Sequence, residues 1–381
     1  MTDFSDYVVV GAGLAGAATA WQLASRGHQV TILERNVPAS HDASSHGSAR
    51  IFRYAYPDPF YAHAVQESKE LGDVLALDSG SRLITPAGAA DFGVERHPRL
   101  LAGVLAAEGI EHELLGADEA SARWPQIAFD TEVLWHPDAG VIDAETAVNA
   151  MVDQAVRHGA RLLTGWPLQG LAKTASGYRL HSATGETFDA GNVVISAGGW
   201  LPGLLGELSL PSGFLAGLPE ITVRQEQAFH FRYREPETAT PWPTFIHKRA
   251  DIQVYGLPGG RDADFAGQKV AEYNGGRFLP SAAAQTGDVD PGNRGRVVDY
   301  VRRFLPGLDP EPYAETTCLF TNTPNEDFII DRVHNLTIVS PCSGHGAKFA
   351  PLIGQWAADL ATGAANVPLR FRTATTAVSS R

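Results

Sequence analysis

The sequence predicts an α/β protein, α+β overall, in which a Rossmann-like nucleotide-binding layer is interleaved with an antiparallel β-rich unit. Three observations predict it. First, an apolar run at 8–10 leads into Gly11-Ala12-Gly13-Leu14-Ala15-Gly16, a helix-compatible stretch reaches Arg26, and a second apolar strand ends at Glu34. Second, apolar strand patterns recur in mid-chain as ARLLTG (160–165) and NVVISAGGW (192–200). Third, VRQEQAFHFRY, IQVYGLPGG and GQKVAEYNGG, all between 217 and 320, alternate as antiparallel strands do.

In the first unit each residue has a physical reason. Gly11 permits the tight turn, Gly13 lets backbone approach a pyrophosphate, and Gly16 lets the helix pack on the strand. The helix start offers N–H groups and a positive dipole end to phosphates, and Glu34 suits a ribose hydroxyl. Strand, turn, helix, strand and acid together point to a dinucleotide, NAD or FAD. Apolar positions at three- and four-residue spacing predict a helix over 59–77, and a short one over 100–108 is closed by Gly109. Another spans 116–124 before Pro125, and a third starts at the N-cap Asp143 and runs to Gly159. The stretch AKFAPLIGQWAADLATG predicts a C-terminal helix. The final TATTAVSSR reads as a frayed tail.

Composition bounds the function. The 381 residues are 44% hydrophobic and 19% charged, enough for a large core and too apolar for a disordered chain. A net charge of −13 argues against nucleic-acid and anionic-membrane partners. No apolar run is long enough to span a bilayer, and strand residues begin at the N-terminus, so a soluble cytoplasmic protein is expected. With only Cys318 and Cys342, this is not a disulfide scaffold. There are only five lysines, which makes each position informative.

Four segments carry the chemistry. SSHGSARIFR (44–53) is a polar loop following the first βαβ unit, and places Arg50 and Arg53 on neighbouring faces of a turn. Their guanidinium groups suit a carboxylate or a ring carbonyl. SGHGAKF (343–349) brackets His345 with two glycines, as close passage by a ligand requires. Lys348 falls in the first turn of the expected C-terminal helix, an unfavourable place for a cation, which points to a ligand. Lys269 sits within a strand, and Cys318 in the apolar context TTCLFT has the surroundings of an ordinary core thiol.

These motifs, with VGAGLAGAATAWQLASRG, SSHGSARIFRYAY, HPDAGVIDAETAV, NVVISAGGW, CLFTNTPNEDFIIDR and SGHGAKF in this order, resemble the monomeric sarcosine oxidase and N-methyltryptophan oxidase group of D-amino-acid-oxidase-like flavoenzymes. The resemblance spans nearly the whole chain. It implies FAD rather than NAD, no metal, a monomer, and oxidation of a C–N bond with oxygen as acceptor. It places the adenosine diphosphate half of FAD on Gly11, Ala12, Gly13, Leu14, Ala15, Gly16, Glu34 and Arg35. The other contacts it implies are Ser44, Ser45, Arg50, Ile51, Leu168, Ser196, Ala197, Gly198, Trp200, Cys318, Gly344, His345, Gly346, Ala347 and Lys348. It makes Cys318 a thioether to the flavin, sets Arg53 and Lys348 on the substrate carboxylate, and puts Lys269 beside flavin N5 to promote oxygen reduction. Tyr255 and His46 match pocket residues of the group.

Two positions depart from it. The group has His where Tyr273 stands and Tyr where Phe320 stands, both in the substrate pocket. The implied substrate is therefore a bulkier N-methyl or cyclic amino acid, or a biosynthetic intermediate, rather than sarcosine. The implied division is an FAD-binding domain from 1–86, 144–216 and 322–381 and a substrate domain from 87–143 and 217–321. The alternative activity on the same scaffold is an FAD-dependent dehydrogenase that passes electrons to another carrier.

Overall fold

The structure is a computed structural model that describes residues 3–235, 241–364 and 367–373, so the terminal TATTAVSSR lies outside the described residues apart from Thr373. At its centre Asp3–Val10 pairs in parallel with Val30–Leu33 on one side and Thr187–Ile195 on the other. Arg161–Leu163 and Leu336–Ser340 extend this parallel array, and Leu168–Lys173, Tyr178–Ser182 and Ile329–Val333 add antiparallel edges to complete eight strands. Both faces are covered, so the strand at 8–10 is apolar without alternation. Val9 points into a core with the helices Leu14–Ser25, Pro59–Ser79, Ala144–Arg157 and Ala350–Thr362. Val8 and Val10 point to the other side, against Leu180, Phe188 and Phe214.

The second sheet has nine strands, largely antiparallel, from Glu113–Leu115 and Val133–His136 at one end to Thr222–Tyr233, Arg277–Leu279 and Leu308–Asn322 at the other. One of its faces packs Phe229, Phe231, Phe245, Val254 and Val270 against Val297, Val301 and Phe304 of the helix Pro291–Phe304. With a period of two, the residues between them, Ile246, Tyr255 and Lys269, face the opposite way. A small third sheet pairs Gly140–Ile142 with Arg50–Phe52 on one side and Ile84–Pro86 on the other.

The mixed α/β class stands, and the expected helices are present as Pro59–Ser79, Pro98–Ala107, Ala117–Arg123 and Ala144–Arg157. Asp143 caps the last, accepting from Thr146 N–H at 2.9 Å. Three details differ. Gly346–Phe349 is a 3-10 turn and the α-helix begins only at Ala350, because Pro351 has no N–H to bond back and fits only a first turn. Gly198–Trp200 is a 3-10 turn that leaves the strand at Ile195. Arg50 lies on a short strand rather than a turn. The helix Pro291–Phe304 and the hairpin of Leu168–Lys173 with Tyr178–Ser182 were not expected. The helix had a legible start in the N-cap Asp290 followed by Pro291.

Candidate active site

Between the parallel sheet and the inward face of the nine-stranded sheet lies one continuous cavity of about 610 Å³. Distant parts of the chain build it. From the first βαβ unit come Gly11, Gly13, Leu14, Ala15, Glu34 and Arg35, with Ser44, Ser45, Arg50, Ile51 and Arg53 from the loop after it. Leu168, Ser196, Ala197, Gly198 and Trp200 come from mid-chain, and Tyr255, Lys269, Tyr273, Cys318 and Phe320 from the second sheet. Gly344, His345, Gly346, Ala347 and Lys348 arrive on the C-terminal turn. Of the residues expected to form the site, Ala12, Gly16 and His46 do not reach the cavity surface. His46 is buried with no hydrogen-bond partner for Nε2, and burial, helped by Arg50, pulls its pKa down to about 3.

The dinucleotide end has the form that an adenosine diphosphate unit needs. Gly11 has φ +96°, and a Cβ there would lie 2.5 Å from the Ser196 carbonyl oxygen. A Cβ on Gly16 would collide with the Gly11 carbonyl, so helix and strand approach more closely than any side chain allows. The Glu34 carboxylate is fixed by two amides, Ala12 N–H at 2.6 Å and Asn36 N–H at 2.9 Å. It keeps lone pairs for a ribose. Ser45 Oγ accepts from Leu14 N–H at 3.0 Å, and the Arg35 guanidinium lies 4.4 Å from the Trp200 ring. The residues present therefore fit FAD, whose adenosine would be held at Glu34 and whose pyrophosphate would lie at Gly13 and the helix start.

At the other end, residues from opposite ends of the chain meet around Tyr56. The Lys348 ammonium donates to Tyr56 Oη at 3.0 Å and to the His345 carbonyl at 2.9 Å. His345 Nε2 lies 2.9 Å from the Glu326 carbonyl, an acceptor only, so Nε2 carries the proton and Nδ1 accepts from Tyr56 Oη at 3.1 Å. Burial, then Lys348, holds the His345 pKa down at about 3, which keeps the ring neutral. Burial, with Arg53 and Arg96 nearby, also drives Lys348 well below its ordinary pKa. Arg53 lies with its guanidinium 4.4 Å from the Tyr56 ring and donates to the Ala55 carbonyl. Two of the three Lys348 donors are used, and the third, like most of the Arg53 donors, has no acceptor among the described residues.

The second sheet supplies the opposite wall. Its register places Leu257 against Lys269, His230 against Lys269, and Glu226 against Cys318, so these side chains share one face. Lys269 is buried, with Nζ 3.4 Å from the Ala49 carbonyl. Burial, then Arg50, lowers its pKa to about 8, while Cys318 and Asp262 act the other way. The Cys318 thiol is raised above its usual pKa by burial. Arg50 donates to the carbonyls of Ser44, at 3.0 Å, and His46, at 2.8 Å, which folds the loop against this wall. Gly344, at φ +68°, packs so closely on Phe320 and Tyr273 that a Cβ would come within 2.9 Å of both rings. Tyr273 Oη donates to Glu326 Oε1 at 2.6 Å.

Sequence reasoning missed Tyr56, Lys248 and Glu326, which also line the cavity, and the buried Arg96–Asp91 pair behind Arg53. Tyr56 was legible as the last residue of the quoted SSHGSARIFRYAY motif. For Lys248 the scarcity of lysine was the available signal.

The chain is 32% identical over 375 residues to a monomeric sarcosine oxidase of Streptomyces avermitilis, covering 95% of this chain and 94% of the other. It is 28% identical over 363 residues to an N-methyl-L-tryptophan oxidase of Yersinia pestis, covering 93% and 94%. Its structure matches NikD, an unusual amino acid oxidase essential for nikkomycin biosynthesis, with a TM-score of 0.86 and 26% identity over 98% of both chains. The pattern of the FAD dependent oxidoreductase family, DAO, covers residues 6–360, and this chain belongs to that family of enzymes.

Proposed function

We propose that the chain is an FAD-dependent oxidase of secondary or cyclic amino acids, producing an imine and, from oxygen, hydrogen peroxide. The observation that supports this most is the joining of Arg53 and Lys348 at Tyr56, in the same cavity that Lys269 lines. Arg53 and the free Lys348 donor hold the substrate carboxylate and set the C–H bond next to nitrogen toward the cofactor. The amine reacts in its neutral form, and water hydrolyses the released imine. Bound FAD supplies the hydride acceptor and returns the electron pair to oxygen.

The chain's own residues do the rest. Lys269 holds a positive charge in a dry site, where it stabilises negative charge as oxygen is reduced. Arg50, Gly346 and Ala347, which line the cavity, would hold the flavin ring, and the Cys318 thiol, on the same sheet face as Lys269, would form the thioether. Tyr255 lines the same cavity, while His46, buried outside it, accepts from Arg50 through its carbonyl. Tyr273 and Phe320 line the pocket with two aromatic rings 6.1 Å apart, where the sarcosine oxidase group has His and Tyr, and this supports a substrate other than sarcosine. We also propose a cytoplasmic monomer, in which 1–86, 144–216 and 322–381 bind FAD and 87–143 with 217–321 form the substrate domain. Support comes from the acidic composition and from the name of the Streptomyces relative.

A panel of N-methyl and cyclic amino acids, assayed in air for peroxide, tests the reading. Peroxide equal to substrate consumed is the expected result. Flavin that is reduced by substrate and persists reduced in aerated buffer would instead favour a dehydrogenase, and a purified protein free of flavin would overturn both.

A further inference from the structure

Lys248 is out of place in a pocket built for one carboxylate. It ends the strand Thr244–Lys248, and Ile246 and Lys248 alternate onto the cavity face, opposite Tyr255 and Gln253 of the next strand. Arg249, next in the chain, points elsewhere and pairs with Asp130 and Asp251. Among the described residues nothing accepts a hydrogen bond from the Lys248 ammonium. It lies instead over the Tyr273 ring, 5.7 Å from its centre. The other lysines differ: Lys69 pairs with Asp73, Lys269 and Lys348 donate to oxygens, and Lys173 is in solvent.

The charges near it are Arg53, Arg96, Glu326 and Asp91. Arg96 and Asp91 compensate each other at 2.6 Å, and the Glu326 carboxylate already accepts from Tyr273. Arg53, Lys348 and Lys248 all line this cavity, and Glu326 is the one carboxylate near Lys248 that no cation already compensates. A substrate with one carboxylate and a neutral amine leaves positive charge unbalanced in a half-buried site, and a second carboxylate removes it. Resting on the amino-acid oxidase reading above, we propose that the substrate is a secondary amine with two carboxylates, one held by Arg53 and Lys348 and the other by Lys248. The pKa of Lys248 is lowered by burial, then by Arg96 and Arg53, consistent with a cation that lacks its counter-ion.

Binding of unreactive thioethers to the FAD-loaded enzyme, followed by the flavin absorbance change, tests this without turnover. Sulfur replaces the amine nitrogen in methylthioacetate, with one carboxylate, and in thiodiacetate and carboxymethylthio-propionate, with two. The dicarboxylates are expected to bind about tenfold to a hundredfold tighter, the range for one charge-assisted hydrogen bond. Lys248→Met should bring the two classes to parity, and Lys248→Arg should keep the preference. Equal affinities in the wild type, or a preference that survives Lys248→Met, would overturn the proposal. Turnover separates the two readings. If the dicarboxylates bind preferentially through Lys248 yet no mono- or dicarboxylic secondary amine reduces the flavin, the oxidase reading falls and the charge assignment stands. If neutral N-methyl amino acids are oxidised without a dicarboxylate preference, only the assignment of Lys248 falls.

Discussion

Lys348 reaches back to the Tyr56 hydroxyl at 3.0 Å, joining two residues that lie 292 positions apart. The hydroxyl hands the interaction on to neutral His345, so the ammonium is fixed in place without a carboxylate partner. A cation held this way is stabilised when a substrate carboxylate arrives. Because burial, then Arg53 and Arg96, lower its pKa, Lys348 is charged below that pKa and neutral above it. Affinity for methylthioacetate should therefore fall as pH rises through that lowered pKa, by about tenfold per pH unit at the steepest. Titration of the flavin absorbance change at several pH values measures it. Lys348→Met should bind weakly and lose the dependence, and a flat wild-type profile across the neutral and alkaline range would count against the role.

Lys269 carries a prediction of the same sign at a different step. Its pKa of about 8 comes mainly from burial, so the charged form is present below that pH and is lost above it. The rate of flavin reoxidation by oxygen, read by stopped flow, should decline as pH rises through about 8. Lys269→Met should slow reoxidation by about tenfold to a thousandfold, the scale of losing one preorganised charge, and flatten its pH profile. Reduction by substrate should change far less. Equal slowing of both half-reactions would mean that Lys269 only holds the fold.

The contrast between Lys348 and Lys248 shows what a sequence discloses. The fingerprint from Gly11 to Glu34 was legible because all of its parts lie within a few turns of chain, where spacing alone decides geometry. Lys348 was legible because a cation is unfavourable where it stands. Lys248 and Glu326 gave no such local signal. Their meeting at Tyr273 depends on the register of one sheet and on a loop far along the chain. The Arg96–Asp91 pair was likewise invisible, since a charged side chain on a strand reads as solvent-facing until the sheet is assembled. The helix Pro291–Phe304 is a different case. Asp290 and Pro291 marked its start, and the surrounding strand patterns drew the reading away from it.

Cys318 and Cys342 both line the cavity, and both thiols are raised by burial, so neither is reactive by itself. If the link is made at Cys318, acid precipitation of the wild type should leave the protein yellow, and Cys318→Ala should release its flavin into the supernatant. Cys342→Ala should behave as the wild type does. Intact mass of the three proteins gives the same answer independently, since only a linked chain carries the added mass of FAD. Flavin released equally from the wild type and Cys318→Ala rules out the thioether.

The Arg96–Asp91 pair supports the carboxylate site from behind. Arg96 donates to Asp91 at 2.6 Å and to the Ala55 carbonyl at 2.8 Å, and that same carbonyl accepts from Arg53. Burial lowers the Arg96 pKa and Asp91 opposes the shift, so the guanidinium depends on this one carboxylate. Asp91→Leu leaves the guanidinium buried without its partner, a loss of about 3 to 5 kcal/mol for a broken buried pair. Guanidinium chloride unfolding of the FAD-loaded enzyme should show the lower midpoint. Replacing both partners, Asp91→Leu with Arg96→Met, should recover most of that loss, because no charge is then left uncompensated. The double variant should still show a raised KM with kcat closer to the wild type, since Ala55 no longer has Arg96 to hold it beneath Arg53. A double variant as unstable as Asp91→Leu alone would show that packing, rather than charge compensation, sets the cost.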